Sequence, residues 1–151
     1  MKIYRETLKV KTLEYCQFID ITWDIEACIK NSWVQNGIIS IHSMHTTMAI
    51  RINEKESGLM ADFKETAGTL IPADKYYRHN DQAIRTENLV DDPNASDYFN
   101  AHSHITHMFM GTSEVVAIEN GKIVIGQWQR VFAIELDCSR NREIYMQVMW
   151  E

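Results

Sequence analysis

The sequence lacks the apolar segments that carry a chain into or across a membrane. None of its hydrophobic runs is long enough to span a bilayer, and its first residues, Met-Lys-Ile-Tyr-Arg-Glu, have no apolar core typical of a signal peptide. We therefore expect no membrane partner and a cytoplasmic location.

Cysteine is scarce, and its spacing does not indicate a zinc centre. Cys16, Cys28 and Cys138 are an odd number and match no zinc motif. We expect buried free thiols in a reducing compartment, and a functional Cys138 is the alternative.

An excess of positive charge is also missing. The chain has 15 Lys and Arg against 21 Asp and Glu, a formal net charge of −6. This balance argues against nucleic acid as the main partner, although local basic groups still suit a small phosphate. The sequence also has no Walker loop, dinucleotide-binding glycine run or nucleophile elbow, so common enzyme motifs do not indicate its activity.

Repeats and Gly/Ser linkers are absent too, so we predict one domain, residues 1–151. Apolar patterns predict strands and helices, and Asn120-Gly121 favours a type I′ hairpin. The strands are expected at 2–12, 14–20, 38–42, 48–53, 115–118, 123–125, 131–136 and 144–150, with helices at 21–33, 59–70 and from Ser96 or Asp97 to Met110. Mostly antiparallel strands with about three helices indicate an α+β domain. Trp128 is expected in the core.

Histidines outside any hydrophobic pattern are the most informative residues present. His45 lies between two predicted strands, His79 lies in a polar loop at 73–95, and His104 follows Asn100 by one helical turn. Neutral imidazoles suit a divalent metal or proton transfer near neutral pH. Other polar residues that can converge with them are Thr46, Thr47, Asn53, Glu54, Asp62 and Gln129.

Plainer interpretations of the same residues stay open. His45 also suits a turn, His104 suits a structural histidine, and Asp62 suits the solvated face of a helix. Arg140 and Arg142 flank a turn, where they favour either an anion clamp or a surface ion pair.

The order of these motifs resembles a known family. The segment His45-Thr-Thr-Met-Ala-Ile-Arg-Ile-Asn-Glu54 resembles the His-Thr-Thr-x-Ala-x-x-x-Asn-Glu signature of the YjbQ-like family, whose members are described as secondary thiamine-phosphate synthases. The resemblance covers roughly residues 38 to 151. It continues through Asp62, Tyr76-Tyr-Arg-His79, Asn100-Ala-His-Ser-His104, Gly121-Lys-Ile-Val-Ile-Gly-Gln-Trp-Gln129, Glu135-Leu-Asp137, Arg140 and Arg142.

The resemblance implies a fold and a reaction. The implied fold is an α+β domain with an antiparallel β-sandwich-like core, assembled as a homotrimer with its site near subunit boundaries. The implied reaction joins a pyrimidine diphosphate to a thiazole phosphate and releases pyrophosphate. The partner would thus be a small phosphorylated metabolite.

The resemblance also implies roles for single residues. His45, His79 and His104 would surround one pocket and either transfer protons or ligate a divalent metal, zinc or magnesium. Glu54 and Asp62 would orient the imidazoles. The predicted substrate-binding residues are Thr46, Thr47, Asn53, Asn100, Gln129 and Arg140. A metal-assisted phosphoester hydrolase and a non-catalytic module for a small anionic metabolite are the alternatives.

Overall fold

Antiparallel strands form two sheets in the computed structural model, which describes residues 1–89 and 99–151. The larger sheet has the order β1-β8-β3-β5-β6, and the smaller has the order β2-β7-β4. The strands are β1 (Lys2–Lys11), β2 (Phe18–Asp20), β3 (Gly37–Ser43), β4 (Met48–Glu54), β5 (Ser113–Glu119), β6 (Lys122–Ile123), β7 (Gln129–Glu135) and β8 (Asn141–Trp150).

The described residues also form three α-helices. These are α1 (Thr22–Ser32), α2 (Ser57–Leu70) and α3 (Ala101–Met110). Helix α2 begins where the Glu56 carboxylate accepts hydrogen bonds from the amides of Gly58 and Leu59, both at 2.7 Å, and it ends two residues before Pro72. None of the described helices is long and apolar enough to cross a membrane.

The small sheet is buried on both faces, which makes the core a sandwich. Met48 and Ile50 of β4 belong to the main core with α1 and the large sheet, whereas Ala49 belongs to a second cluster. Because successive side chains of a strand point to opposite faces, β4 packs against both clusters. Phe18 and Met60 pack against the second cluster from β2 and α2. The predicted α+β fold with a β-sandwich-like core is thus confirmed.

Most predicted elements are present. Two local expectations are wrong, and a third lies partly outside the described residues. The second strand covers only Phe18–Asp20, because Cys16 has a left-handed φ of 57° that interrupts an extended chain. Trp128 is not a core residue, since it is 68% exposed in the turn before β7. Helix α3 begins at Ala101, and the expected caps at Ser96 and Asp97 lie outside the described residues.

The hairpin prediction is confirmed by its turn. Asn120 and Gly121 have φ angles of 52° and 72°, as a type I′ turn requires, and they join β5 to β6. The turn depends only on the residue types at these two positions, so the sequence alone was enough to locate it.

Candidate functional site

A cleft of about 640 Å³ lies where the β3–β4 turn, the polar loop, the start of α3 and the β7–β8 turn meet. Its histidines and arginines define what we term the arginine–histidine cleft: His45, His79, His104, Arg85, Arg140 and Arg142. Thr46, Thr47, Asn100 and Asp137 are also in its lining. The structure therefore gathers the three predicted histidines at one cleft.

His45 is held on the β3–β4 turn by the neighbouring strand. Its Nε2 accepts a hydrogen bond from the backbone amide of Glu143 at 2.8 Å, so that nitrogen carries no proton. Burial, followed by the positive charge of Arg142, lowers the pKa of His45 below its ordinary value. The ring is therefore oriented and neutral near pH 7.

His79 and His104 come together from the polar loop and from α3. Their ring centroids are 4.7 Å apart at an interplanar angle of 63°. The loop is fastened to the helix start because Asn80 Oδ1 accepts a hydrogen bond from the Ala101 amide at 3.0 Å. This contact spans 21 residues of chain and brings the two rings to one place.

The same pair of imidazoles is kept neutral by its surroundings. Burial is the main cause that lowers the pKa of both rings. The positive charge of Arg85 adds to it at His79, and protonation of His79 would add to it at His104. A hydrogen bond with the Asn100 side chain acts in the opposite direction and raises the pKa of His79, but burial outweighs it.

A buried ion pair supports the opposite wall. Arg142 donates from Nε to Glu135 at 2.7 Å and from Nη2 to the Thr47 hydroxyl at 2.9 Å, and its Nη2 also contacts Glu135 Oε1. The Thr12 hydroxyl donates to Glu135 at 2.7 Å. Because Glu135 is fully buried and Arg142 is 4% exposed, these bonds fix the guanidinium and the start of β4.

Arg140 is also held by a carboxylate. Its Nε and Nη2 donate to Asp137 Oδ2 at 3.0 and 2.8 Å, and Asn100 Nδ2 donates to the same oxygen at 3.0 Å. Burial alone would raise the pKa of Asp137, but these hydrogen bonds and one from the Cys138 amide lower it on balance. Asp137 is therefore ionised and links α3 to the β7–β8 turn.

Arg85 lines the cleft but was not predicted from sequence. Its guanidinium donates to the backbone carbonyls of His79, Glu87 and Asn88 at 3.2, 3.2 and 3.0 Å. It thus organises the loop that carries His79. A single arginine in a polar loop has no periodic signal, so no sequence pattern identified it.

Glu135, Asp137 and Arg142 also went without assigned roles. They belong to the matched motifs, but the sequence left two interpretations of Arg142 open, an anion clamp and a surface ion pair. The structure decides against the surface pair, because Arg142 and Glu135 are buried together.

Four predicted site residues lie away from the cleft in this chain. Thr47 lines it, but β4 then extends to Asn53 and Glu54, and at 3.3 Å per residue Glu54 lies roughly 20 Å farther on. Gln129 pairs with Glu54 across the sheet and is equally distant. Asp62 is exposed on α2. An extended strand keeps its two ends apart, so Asn53, Glu54 and Gln129 do not join the histidines within one chain. Asp62 is not in the lining of the cleft either.

Two of these four side chains make hydrogen bonds of their own away from the cleft. Asn53 Oδ1 accepts from the Glu54 amide at 2.8 Å, and Gln129 Oε1 accepts from the Gly126 amide at 2.7 Å. Both contacts shape turns at the far end of the small sheet.

The residues that would hold a divalent metal do not form a ready centre. Across residues 1–89 and 99–151, no group of three or more His, Cys, Asp or Glu side chains is arranged to hold a metal ion. Nε2 of His45 is already bonded to the Glu143 amide, while His79 and His104 form a separate pair. The divalent metal therefore stays a prediction.

Comparison with known proteins finds relatives that match nearly the whole chain. The chain is 34% identical to a UPF0047 protein of Methanothermobacter thermautotrophicus over 148 residues, 98% of this chain and 93% of the relative. It is 32% identical to a UPF0047 protein of Archaeoglobus fulgidus over 142 residues, 94% and 98% of the two chains.

Solved structures show the same fold. The structure of a YbjQ-like protein of unknown function from Sulfolobus solfataricus has a TM-score of 0.85 at 32% identity and covers 99% of both chains. A hypothetical protein from Aeropyrum pernix has a TM-score of 0.83 at 29% identity, with 98% and 99% covered. The profile described as UPF0047 protein YjbQ-like matches residues 6–151, and the chain therefore belongs to this family.

Proposed function

We propose that the chain is an enzyme that binds a small phosphorylated metabolite in the arginine–histidine cleft and transfers a group with release of a phosphate-bearing leaving group. The specific candidate is a thiamine-phosphate synthase-like reaction, in which a pyrimidine diphosphate and a thiazole phosphate are joined and pyrophosphate is released. The observation that carries the proposal is the lining of one cleft by three imidazoles and three guanidinium groups. The substrate pair comes from the family resemblance.

The charges of the cleft support phosphate binding. Arg140 and Arg142 are each paired with a carboxylate, whereas the hydrogen bonds of Arg85 within the described residues go to carbonyl oxygens. Because carbonyl oxygens carry no formal charge, these bonds do not neutralise the positive charge of Arg85. Asn100, which precedes α3, also lines the cleft, and helix N-termini favour anions.

The imidazoles support proton transfer at the same place. Their lowered pKa leaves His45, His79 and His104 neutral near pH 7. His79 and His104 are then able to accept a proton, whereas His45, whose Nε2 is bonded to the Glu143 amide, offers only the N–H at Nδ1 as a donor. The guanidinium groups stabilise the negative charge that develops on a departing diphosphate. The cleft thus combines both requirements of the proposed transfer.

The test is an assay for pyrophosphate release with both substrates, using wild type, His104→Gln and the control His42→Gln. His42 is an exposed histidine of β3 outside the cleft. We expect the first variant to lose at least about 100-fold in turnover, the scale of general acid–base catalysis, and the control to keep wild-type activity. Both variants should still bind inorganic phosphate.

Other outcomes separate the alternatives. Phosphate release from a single phosphoester would indicate a hydrolase instead. Phosphate binding without any turnover would indicate a binding module.

We also propose that the functional assembly is a homotrimer. Large apolar side chains are exposed on one chain, including Trp33 at 89%, Met108 at 82% and Phe109 at 80%. Such residues commonly lie in subunit interfaces. Light scattering should give three times the mass of the chain, and a monomer at micromolar concentration would contradict the assembly.

A further inference from the structure

A buried threonine outside the cleft is bonded to the supports of two of its arginines. Thr12 directly follows β1, is 0% exposed and does not line the arginine–histidine cleft. It also precedes every sequence motif of the cleft, the first of which begins at His45. Its side chain and main chain nevertheless contact the turn that carries Arg140 and the carboxylate that holds Arg142.

Thr12 holds the main chain of Arg140 on both sides. The Arg140 amide donates to the Thr12 hydroxyl at 2.8 Å, and the Thr12 amide donates to the Arg140 carbonyl at 2.9 Å. The Ser139 hydroxyl also donates to the Thr12 carbonyl at 2.7 Å. Because these three bonds fasten the turn to one buried residue, the side chain of Arg140 starts from a fixed position.

The same hydroxyl contacts the carboxylate that holds Arg142. It lies 2.7 Å from Glu135 Oε2 and 3.2 Å from the Arg140 carbonyl, which already accepts from the Thr12 amide. A hydroxyl has a single proton, so the shorter contact to the carboxylate is its donated bond. Glu135 Oε2 also accepts from Arg142 Nε at 2.7 Å. Thr12 therefore links the main chain of Arg140 to the counter-charge of Arg142.

This link fixes the two guanidinium groups relative to each other. An anion that contacts both Arg140 and Arg142 is bound most tightly when their separation is set before it arrives. Valine has nearly the shape of threonine, but it would make neither the bond to Glu135 nor the bond from the Arg140 amide. The requirement at position 12 is therefore for a hydroxyl.

We propose that Thr12 is a positioning residue for phosphate binding, which acts through Arg140 and Arg142 without touching the ligand. The inference rests on the proposed function, because it requires a phosphate in the arginine–histidine cleft. It adds to that function a residue of β1 that no motif of the cleft contains.

The experiment measures the affinity for inorganic phosphate by calorimetric titration of wild type, Thr12→Val and Thr12→Ser. Thr12→Val should bind phosphate about 3- to 12-fold more weakly than wild type, the scale of one hydrogen bond. Thr12→Ser keeps the hydroxyl, so its affinity should stay within about 2-fold of wild type. Urea melts of each variant give the folded fraction for which the affinities are calculated.

Thr22→Val is the matched control for a loss of stability alone. Thr22 is 1% exposed, and its hydroxyl accepts from the Val131 amide at 2.9 Å, while its side chain also hydrogen-bonds to the Asp20 carboxylate. It thus has the same kind of contacts as Thr12, but it does not line the cleft or bond to its arginines. Thr22→Val should lower the free energy of unfolding as Thr12→Val does and should keep wild-type affinity for phosphate.

A further variant decides the question if Thr12→Val does not fold. Ser139→Ala removes only the bond from the turn to the Thr12 carbonyl and leaves the buried hydroxyl in place. It should weaken phosphate binding by about 2- to 5-fold, and an unchanged affinity would then overturn the role of Thr12.

The remaining outcomes are decisive as well. Unchanged phosphate affinity in Thr12→Val would overturn the positioning role and leave the proposed function intact. An equal loss of affinity in Thr22→Val would show a general loosening of the sheet, and an equal loss in Thr12→Ser would show that the hydroxyl is not the cause, so either result would also overturn it. Absence of phosphate binding to wild type would overturn the proposed function and this inference together.

Discussion

The two ends of the small sheet contain the same type of ion pair in different surroundings. At the cleft end, Glu135 and Arg142 are 0% and 4% exposed. Toward the other end of β7, Asp20 accepts from Arg130 at 3.0 Å and from Lys55 at 3.1 Å, and Lys55 is 61% exposed. Arg130 also lies 4.9 Å from the ring centroid of Trp23.

The difference shows that burial, rather than residue type, decides what an ion pair does. Each buried charge at the cleft end depends on its partner, because water cannot replace a lost contact. At the other end, which we term the rim network of Asp20, Arg130 and Lys55, water screens the charges. The cleft end is therefore rigid and sensitive to change, and the rim network is tolerant.

The largest expected effect is at Glu135. Glu135→Gln leaves the guanidinium of Arg142 buried without its counter-charge, so we expect a loss of about 3–5 kcal/mol in the free energy of unfolding. Urea denaturation measures it. Glu143→Gln is the matched control, since Glu143 pairs with Lys9 at the surface. Equal small losses in both variants would erase the contrast between buried and exposed pairs.

The next effect is the response of the cleft to mild acid. Burial first, and then nearby positive charge, lowers the pKa of His45, His79 and His104 below the ordinary 6.5. These histidines bind protons more readily in the unfolded chain than in the folded one. Their neutral, buried rings therefore contribute to the free energy of unfolding fully above pH 6.5, and this contribution is lost as the pH falls through the lowered pKa values. Urea melts at pH values from about 7.5 down to about 5 should show the decline.

A double variant connects that decline to the cleft. His79→Gln with His104→Gln should flatten the pH slope in part, because His102 and His107 have lowered pKa values through burial and remain. His45 also remains in this variant, so an unchanged slope would place the acid sensitivity outside the His79–His104 pair.

The rim network should respond to acid only at much lower pH. Burial alone raises the pKa of Asp20, but hydrogen bonds from Thr22, Arg130 and Lys55 lower it to about 2. Its contribution is complete above the ordinary value of 3.8 and is lost as the pH falls through about 2. Asp20→Asn should cost about 1–2 kcal/mol near neutral pH, between surface and buried pairs. A variant as stable as wild type in urea melts would show that the network contributes nothing.

The smallest expected effect is at Lys55. Its ammonium group is mostly exposed, and Arg130 remains on Asp20 when Lys55 is removed. Lys55→Gln should therefore change the free energy of unfolding by less than about 1 kcal/mol, and by less again in high salt. A larger loss in a thermal melt would mean that the rim network behaves as a buried pair.

Sequence reasoning succeeded where the determining contacts are local. The strand alternation of β4 and β8, the helical spacing of α1 and the Asn120-Gly121 turn all depend on neighbours a few residues away. The three cleft histidines were also recognised, because each lies in a separate motif. Their meeting depends on the Asn80–Ala101 contact, which no local pattern contains.

Sequence reasoning did not provide the direction along an element. Glu54 follows His45 closely in the chain and was expected beside it. An extended strand carries Glu54 to the opposite end of the sheet, and Gln129 pairs with it there. Proximity in sequence is thus a poor guide to proximity in space when a strand lies between two residues.

By itself the sequence determined the alternation of the strands, the helical spacing of apolar residues and the turn at Asn120-Gly121. It also determined the set of motifs that places the chain in its family. Tertiary structure alone decided that Glu135 and Arg142 are buried as a pair and that His79 and His104 meet in one cleft. The physical reason is that periodicity and turn chemistry act over a few residues, whereas burial and the meeting of loops depend on how distant segments pack.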